Sequence, residues 1–288
     1  MSTADRILVI GQNYKGTSMR LNGCHSDAAL YFKFFESKIS ETIPNLVTKI
    51  SSIRTVITPT VKSSVTTPVI TSLPQPPAKI LWLDHPYLIT KNGVLRALDW
   101  LLSSATAEQF LDPTIQSFET YPLTHHTRMF FGYAGHGTNV KGKVDAVDQV
   151  LVTARGYVTD DEINQLLYTR MNGTSSFFGC VDSCCSGTIG DLRYCLNSPG
   201  KIIIDQNHAK DRIIPGVVQL ISACHDDEQA AESDNGGLFT LTVIEQLQRY
   251  PNSTIMSIYN RLYNEIMVWG QQPVIASNVM MNKGLLLV

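Results

Sequence analysis

The chain lacks any basic cluster. Its 23 Lys and Arg residues are outnumbered by 25 Asp and Glu, leaving a formal net charge of −2. Dedicated nucleic-acid binders carry a basic face, so no nucleic-acid partner is expected. Long apolar runs are also missing: none approaches the roughly 18 residues of a membrane span. The opening stretch "MSTADRILVIGQNYKG" has no charged-then-apolar signal pattern. These absences predict a cytoplasmic chain with no membrane partner. Cysteine is scarce, six in 288 residues: Cys24, Cys180, Cys184, Cys185, Cys195 and Cys224. In a reducing compartment these are expected to be thiols, and paired CxxC spacing for a zinc site is lacking. A phosphate loop is missing as well. The glycines of "GYAGHG" (132–137) are followed by no GK[ST] and do not have the dinucleotide spacing.

What is present is a core. Apolar residues make up 43% of the chain, and they fall into short runs that alternate with helical patterns. "RILVIG" (6–11), "KILWLD" (79–84), "RMFFGYA" (128–134), "SFFGCVD" (176–182) and "VVQLISA" (217–223) read as buried strands, with "GLLLV" (284–288) as a last one. Helices are predicted over 26–39, with Ser26 as N-cap, and over 90–102, 159–171, 237–250 and 257–269. The third has a capping box from Thr159 to Glu162. Continuous apolar strands separated by helices predict an α/β fold, with a mostly parallel sheet covered on both faces. Ligand sites in such sheets lie at the carboxyl ends of the strands. Two stretches break the rhythm, about 40–78, rich in Ser, Thr, Val and Pro, and about 103–127. They read as insertions in a single domain spanning 1–288.

His136 follows one predicted strand and Cys184 the next. A histidine roughly 50 residues upstream of a strand-end cysteine is the caspase arrangement. The chemistry needs a thiolate to attack a carbonyl, an imidazole to manage the proton, and N–H groups for the oxyanion. Gly137 and Cys184 are the expected N–H donors, glycine at 137 permitting close backbone approach.

Five blocks run in order: "IGQNYKGTSMRLNGCHSDA", "YAGHG", "DSCCSG", "SACHDDEQAAESD" and "QQPVIASN". They resemble the metacaspase patterns "GINY.GT...L.GC.ND", "YSGHG", "DSCHSG", "SGC.DDQ.SAD" and "QTPQLSCS", and the chain looks like a single-chain, type I metacaspase. The resemblance implies a caspase-like α/β/α sandwich and a cysteine endopeptidase with Cys184 as nucleophile and His136 as its partner. It implies that Asp27 and Asp182, with Ala134 nearby, line the pocket for the residue before the cut. Two carboxylates there predict protein or peptide substrates with Arg or Lys. It further implies a monomer activated by calcium, at an acidic group that Asp160, Asp161 and Asp191 match, with Asp148 or Asp145. Self-cleavage is expected in turn, with Lys62, Lys201, Lys210 and Arg212 as candidate cuts. Ala134 stands where the family has serine, and Cys185 where it has histidine. These departures keep a second reading open, a catalytically weak scaffold of the same fold. Asp160 and Asp161 also suit the first turn of a helix without any metal.

Overall fold

The computed structural model describes residues 5–36, 47–50, 78–84, 88–142, 147–199, 201–204, 212–226, 228, 230, 232–233 and 236–281. The first strand, β1 (Arg6–Gly11), leads into α1 (Cys24–Glu36). Next come β2 (Val47–Ile50), β3 (Ala78–Leu83), α2 (Lys91–Leu101) and the short α3 (Ala107–Leu111). β4 (Arg128–Ala134) is followed by a meander, β5 (Gly137–Lys141), β6 (Val147–Val152) and β7 (Tyr157–Thr159), and then by α4 (Asp160–Arg170). The second half holds β8 (Ser176–Asp182), β9 (Tyr194–Ser198), β10 (Lys201–Ile204), β11 (Val217–Ser222), β12 (Glu232–Ser233) and β13 (Gly236–Gly237). It closes with α5 (Leu238–Arg249), α6 (Ile255–Ile266) and β14 (Val274–Ser277).

Nine strands form one sheet in the order β10-β9-β14-β11-β8-β4-β1-β3-β2. From β2 to β11 every pairing is parallel, whereas β14, β9 and β10 add on antiparallel. The parallel strands are apolar on both faces. Leu8 and Ile10 pack with Trp100, Phe131 and Phe177 under α2 and α4, while Ile7 and Val9 pack with Phe35, Phe130 and Phe239 under α1 and α5. That two-sided burial makes the strands legible as unbroken apolar runs and gives the predicted α/β/α sandwich.

Five predicted strands reappear within a residue of their expected limits, as do α2, α4 and α5. The capping box at Thr159 and Glu162 is present. The Ser26 cap is corrected: α1 begins at Cys24, and the Ser26 N–H already bonds Gly23 O inside the first turn. The end of the predicted last helix tightens into a 3₁₀ turn at Met267–Trp269. Most of the 40–78 insertion and the expected strand 284–288 lie outside the described residues. No helix among the described residues is long and apolar enough to cross a membrane.

Candidate active site

β1, β4 and β8 are neighbours in register, with Gly11 beside Ala134 and Ala134 beside Asp182. Their carboxyl ends therefore deliver residues 12–14, 135–137 and 183–185 to one rim of the sheet. A cavity of about 100 Å³ opens there, lined by Cys24, Asp27, Gly135, His136, Asp182, Cys184 and Gly237 among others. The predicted histidine, cysteine and acidic pair thus share one space.

His136 is held from two sides. Its Nε2 lies 2.8 Å from Met19 O. A carbonyl only accepts, so Nε2 carries the proton of the neutral ring and Nδ1 is left as the basic nitrogen. The His136 backbone N–H donates to Tyr14 Oη at 2.9 Å, and the two rings lie 4.9 Å apart. Tyr14 itself adopts a left-handed φ of 48°, a strained state for a non-glycine residue. Its hydroxyl donates to Val152 O at 2.7 Å, and its N–H donates to Asp84 Oδ2 at 2.7 Å. Asp84 also accepts from the Asn13 N–H and pairs with His25 Nε2 at 2.6 Å. Burial raises the Asp84 pKa, but the His25, Asn13 and Tyr14 hydrogen bonds outweigh it and hold the carboxyl below its usual range.

The strand that leaves the histidine is set by glycine. A Cβ on Gly137 would lie 2.1 Å from Cys184 O, so the two turns approach closer than any other residue allows. The Val152 N–H donates to His136 O. Antiparallel alternation then turns the Gly137 N–H away from β6. Cys184 is half-buried, and its sulfur accepts the Ala230 N–H at 3.3 Å. Cys185, the other thiol of the pair, does not line the cavity. It sits at φ 48°, with its N–H on Glu228 O.

Both carboxylates are buried, Asp27 at 2% exposure and Asp182 at 8%. Asp27 takes the Gly237 N–H at 2.9 Å. Asp182 takes the Thr240 hydroxyl at 2.6 Å and the Thr240 N–H at 3.2 Å. Glycine is required at 237, where a Cβ would fall 2.2 Å from Asp182 Oδ2. Among the described residues, no Lys or Arg lines the cavity. Ala134 differs from expectation. It lies between Gly11 and Asp182 in the sheet, 1% exposed, and the cavity wall at that point is Gly135.

The predicted calcium group is less assembled. Asp148, Asp160 and Asp191 are buried, and Asp161 opens the helix beside them. Asp160 Oδ2 accepts the Gln149 N–H and Oδ1 the Asp161 N–H, both at 2.8 Å. Burial, with Asp148 and Asp161 adding, raises Asp160 to about 7. Oxygen donors suit calcium. Among the described residues, no group of three or more His, Cys, Asp or Glu side chains is gathered as for a metal ion. Asp145 lies outside the described residues.

A family model described as "Caspase domain" matches residues 4–283. The chain belongs to the caspase-domain peptidase family. Its named relatives are metacaspases. Metacaspase-2 of Trypanosoma brucei brucei is 26% identical over 250 residues, covering 81% of this chain and 58% of the relative. Metacaspase-1 of Kluyveromyces lactis is 24% identical over 243 residues, covering 82% of this chain and 45% of the relative. The caspase-domain chain thus spans about half the length of these relatives. Among solved structures, a protein of Geobacter sulfurreducens superposes with a TM-score of 0.58 at 15% identity, covering 98% of this chain and 95% of that one. Caspase-1 of Spodoptera frugiperda gives 0.52 at 9% identity, covering 100% and 88%. At such identities the likeness is one of fold.

Sequence reasoning missed several residues around the site. Tyr14, Met19, Ala230 and Thr240 act through a ring hydroxyl, a carbonyl, an N–H and a helix-turn hydroxyl, none of which has a spacing signature. Cys24, buried at the start of α1, is also a cavity wall.

Proposed function

We propose that the chain is a cysteine endopeptidase that cuts after Arg or Lys. The observation that carries this is one cavity holding Cys184, His136 and two buried carboxylates, with no cation among its described walls. In this reading the substrate's guanidinium or ammonium group enters beside Asp27 and Asp182. Each carboxylate is pinned by a glycine amide or by Thr240, so the charge is preorganised before substrate arrives. The Cys184 thiolate attacks the scissile carbonyl. The N–H groups of Gly137 and Cys184 take the oxyanion. His136, its Nε2–H fixed on Met19 O, takes the Cys184 thiol proton on Nδ1 and delivers it to the leaving amine, and water then hydrolyses the thioester to the acid and the free thiol. Ala134 supplies only a methyl beneath the carboxylates, so it adds no hydrogen bond to the cation.

Calcium enters no step of this mechanism. Activation by calcium is a separate proposal, resting on the oxygen-donor chemistry of Asp148, Asp160, Asp161 and Asp191. Calorimetric titration checks it: saturable heat that disappears in Asp160→Asn supports it, and no heat at millimolar calcium removes it. Self-cleavage is proposed at Arg212, which is exposed and outside any strand, ahead of Lys201 within β10. Lys62 and Lys210 lie outside the described residues.

The deciding assay compares Arg-, Lys- and Asp-terminated fluorogenic peptides on the wild type and on Cys184→Ala. Turnover of the basic peptides that drops at least ~1000-fold in the variant supports the reading. No turnover of any peptide favours a scaffold. Turnover that survives Cys184→Ala moves the nucleophile to Cys185.

A further inference from the structure

A second pair of thiols lies behind the site. Cys224 is fully buried, and its Sγ rests 3.4 Å from Glu228 O and 3.4 Å from Ser183 O. Cys185 approaches the same Glu228 oxygen, with its N–H at 3.2 Å and its Sγ at 3.8 Å. Its left-handed backbone, uncommon for a β-carbon residue, carries both groups to that one acceptor. Both sulfurs reach a single oxygen, at 3.4 and 3.8 Å, which keeps them within about 7 Å of one another. They also join two segments of the fold, the turn after β8 and the loop after β11.

We propose that Cys185 and Cys224 form a site of reversible oxidation, closing to an intramolecular disulfide when the protein meets a hydroperoxide. This assignment does not rest on the peptidase reading, since it uses neither His136 nor the nucleophilicity of Cys184. Cys185 is the partly exposed member and reacts first. Its thiolate attacks a peroxide oxygen, the O–O bond breaks, and the departing hydroxide takes up a proton to become water, leaving a sulfenic acid. The Cys224 sulfur then attacks the Cys185 sulfur. The S–O bond breaks, and the Cys224 proton leaves with the hydroxyl as a second water. Two thiols lose two electrons and one peroxide gains them. Burial, with Cys184 and Cys185 adding, pushes the Cys224 thiol up to about 12, which leaves Cys185 as the first target. Thiol–disulfide exchange with a small dithiol restores the reduced pair. The loop after β11 also holds Ala230, whose N–H meets Cys184 Sγ. The bridge would thus tie together both segments that position that sulfur.

The test treats the reduced chain with hydrogen peroxide, blocks remaining thiols with N-ethylmaleimide, and maps peptides without reductant. The expected product joins the Cys185 and Cys224 peptides, lighter by two hydrogens than the two together. It disappears on dithiothreitol, forms equally in Cys184→Ser, and is lost in Cys185→Ser. Because Cys224 is buried, Cys224→Ala is scored only after its thermal unfolding matches the wild type, and Cys185→Ser decides otherwise. A bridge that includes Cys184, or stepwise oxidation of Cys185 to sulfinic acid with no bridge, overturns the proposal. Absent peptidase turnover with the bridge intact would remove the proposed function and leave this site standing.

Discussion

Asp27 and Asp182 border an open cavity, whereas Asp160, equally buried, is closed in by its own backbone. Asp182 ends β8, Asp27 lies in the first turn of α1 and Asp160 opens α4, and all three accept N–H bonds. The difference lies in what the accepted bonds leave over. Asp27 and Asp182 are held by Gly237 and Thr240 on the far side of a space that a ligand could fill. Asp160 spends one oxygen on Gln149 and the other on Asp161, which ties β6 to the start of α4. Burial alone therefore does not mark a binding carboxylate. A neighbouring space is what sets Asp27 and Asp182 apart.

The comparison can be broken most directly at Asp182. Asp182→Asn is expected to lower kcat/KM for an Arg peptide on the order of 100-fold, about 3 kcal/mol for losing one member of a buried charge pair. Equal loss for an uncharged peptide would mean that the residue holds the fold rather than the cation. Asp160 itself gives the second test. Its pKa is raised from 3.8 to about 7, so the folded state prefers the protonated form. Its contribution is full below pH 3.8 and is lost as pH rises through about 7. Asp160→Asn, measured without calcium, is expected to flatten that part of a thermal-unfolding profile. An unchanged slope would show that another group titrates.

Much of the fold was legible because β1, β3, β4, β8 and β11 are buried on both faces, where apolar runs have no competing pattern. The β5–β7 meander was missed: "GTNVK" is polar, and Tyr157–Thr159 is only three residues long. β9 and β14 are short and antiparallel, with no helix between them and a parallel partner to announce them. At the site, His136 and Cys184 stood out because few residue types do their chemistry and glycine flanks the histidine. The scaffold that aims them did not. A hydroxyl such as that of Tyr14 looks the same in sequence whether it holds a catalytic loop or faces water.

Tyr14 supplies the next smaller effect. Tyr14→Phe removes the acceptor of the His136 N–H and the donor to Val152 O. A loss of about 1–2 kcal/mol in stability is expected, with turnover down on the order of 5-fold. A stability loss with no change in turnover would separate the scaffold from the site. The smallest effect concerns Asp84. Its pKa is lowered from 3.8, so its stabilisation is present above that pH and is lost as pH falls below it. Amide exchange at Asn13 and Tyr14 should accelerate there before the core strands open. Uniform exchange across the sheet would contradict this.

The register of Gly11, Ala134 and Asp182 has a consequence for the order of assembly. The three strands come from widely separated parts of the chain, and the carboxylates are completed only by Gly237 and Thr240, later still. A ribosome delivers the histidine and the cysteine long before the residues that hold the acidic pair. Every contact that defines the cavity spans a large loop, whose closure is slow relative to local helix formation. The growing polypeptide therefore carries the reactive side chains without the geometry to use them, and the cavity exists only once the sheet has closed around residues from both halves.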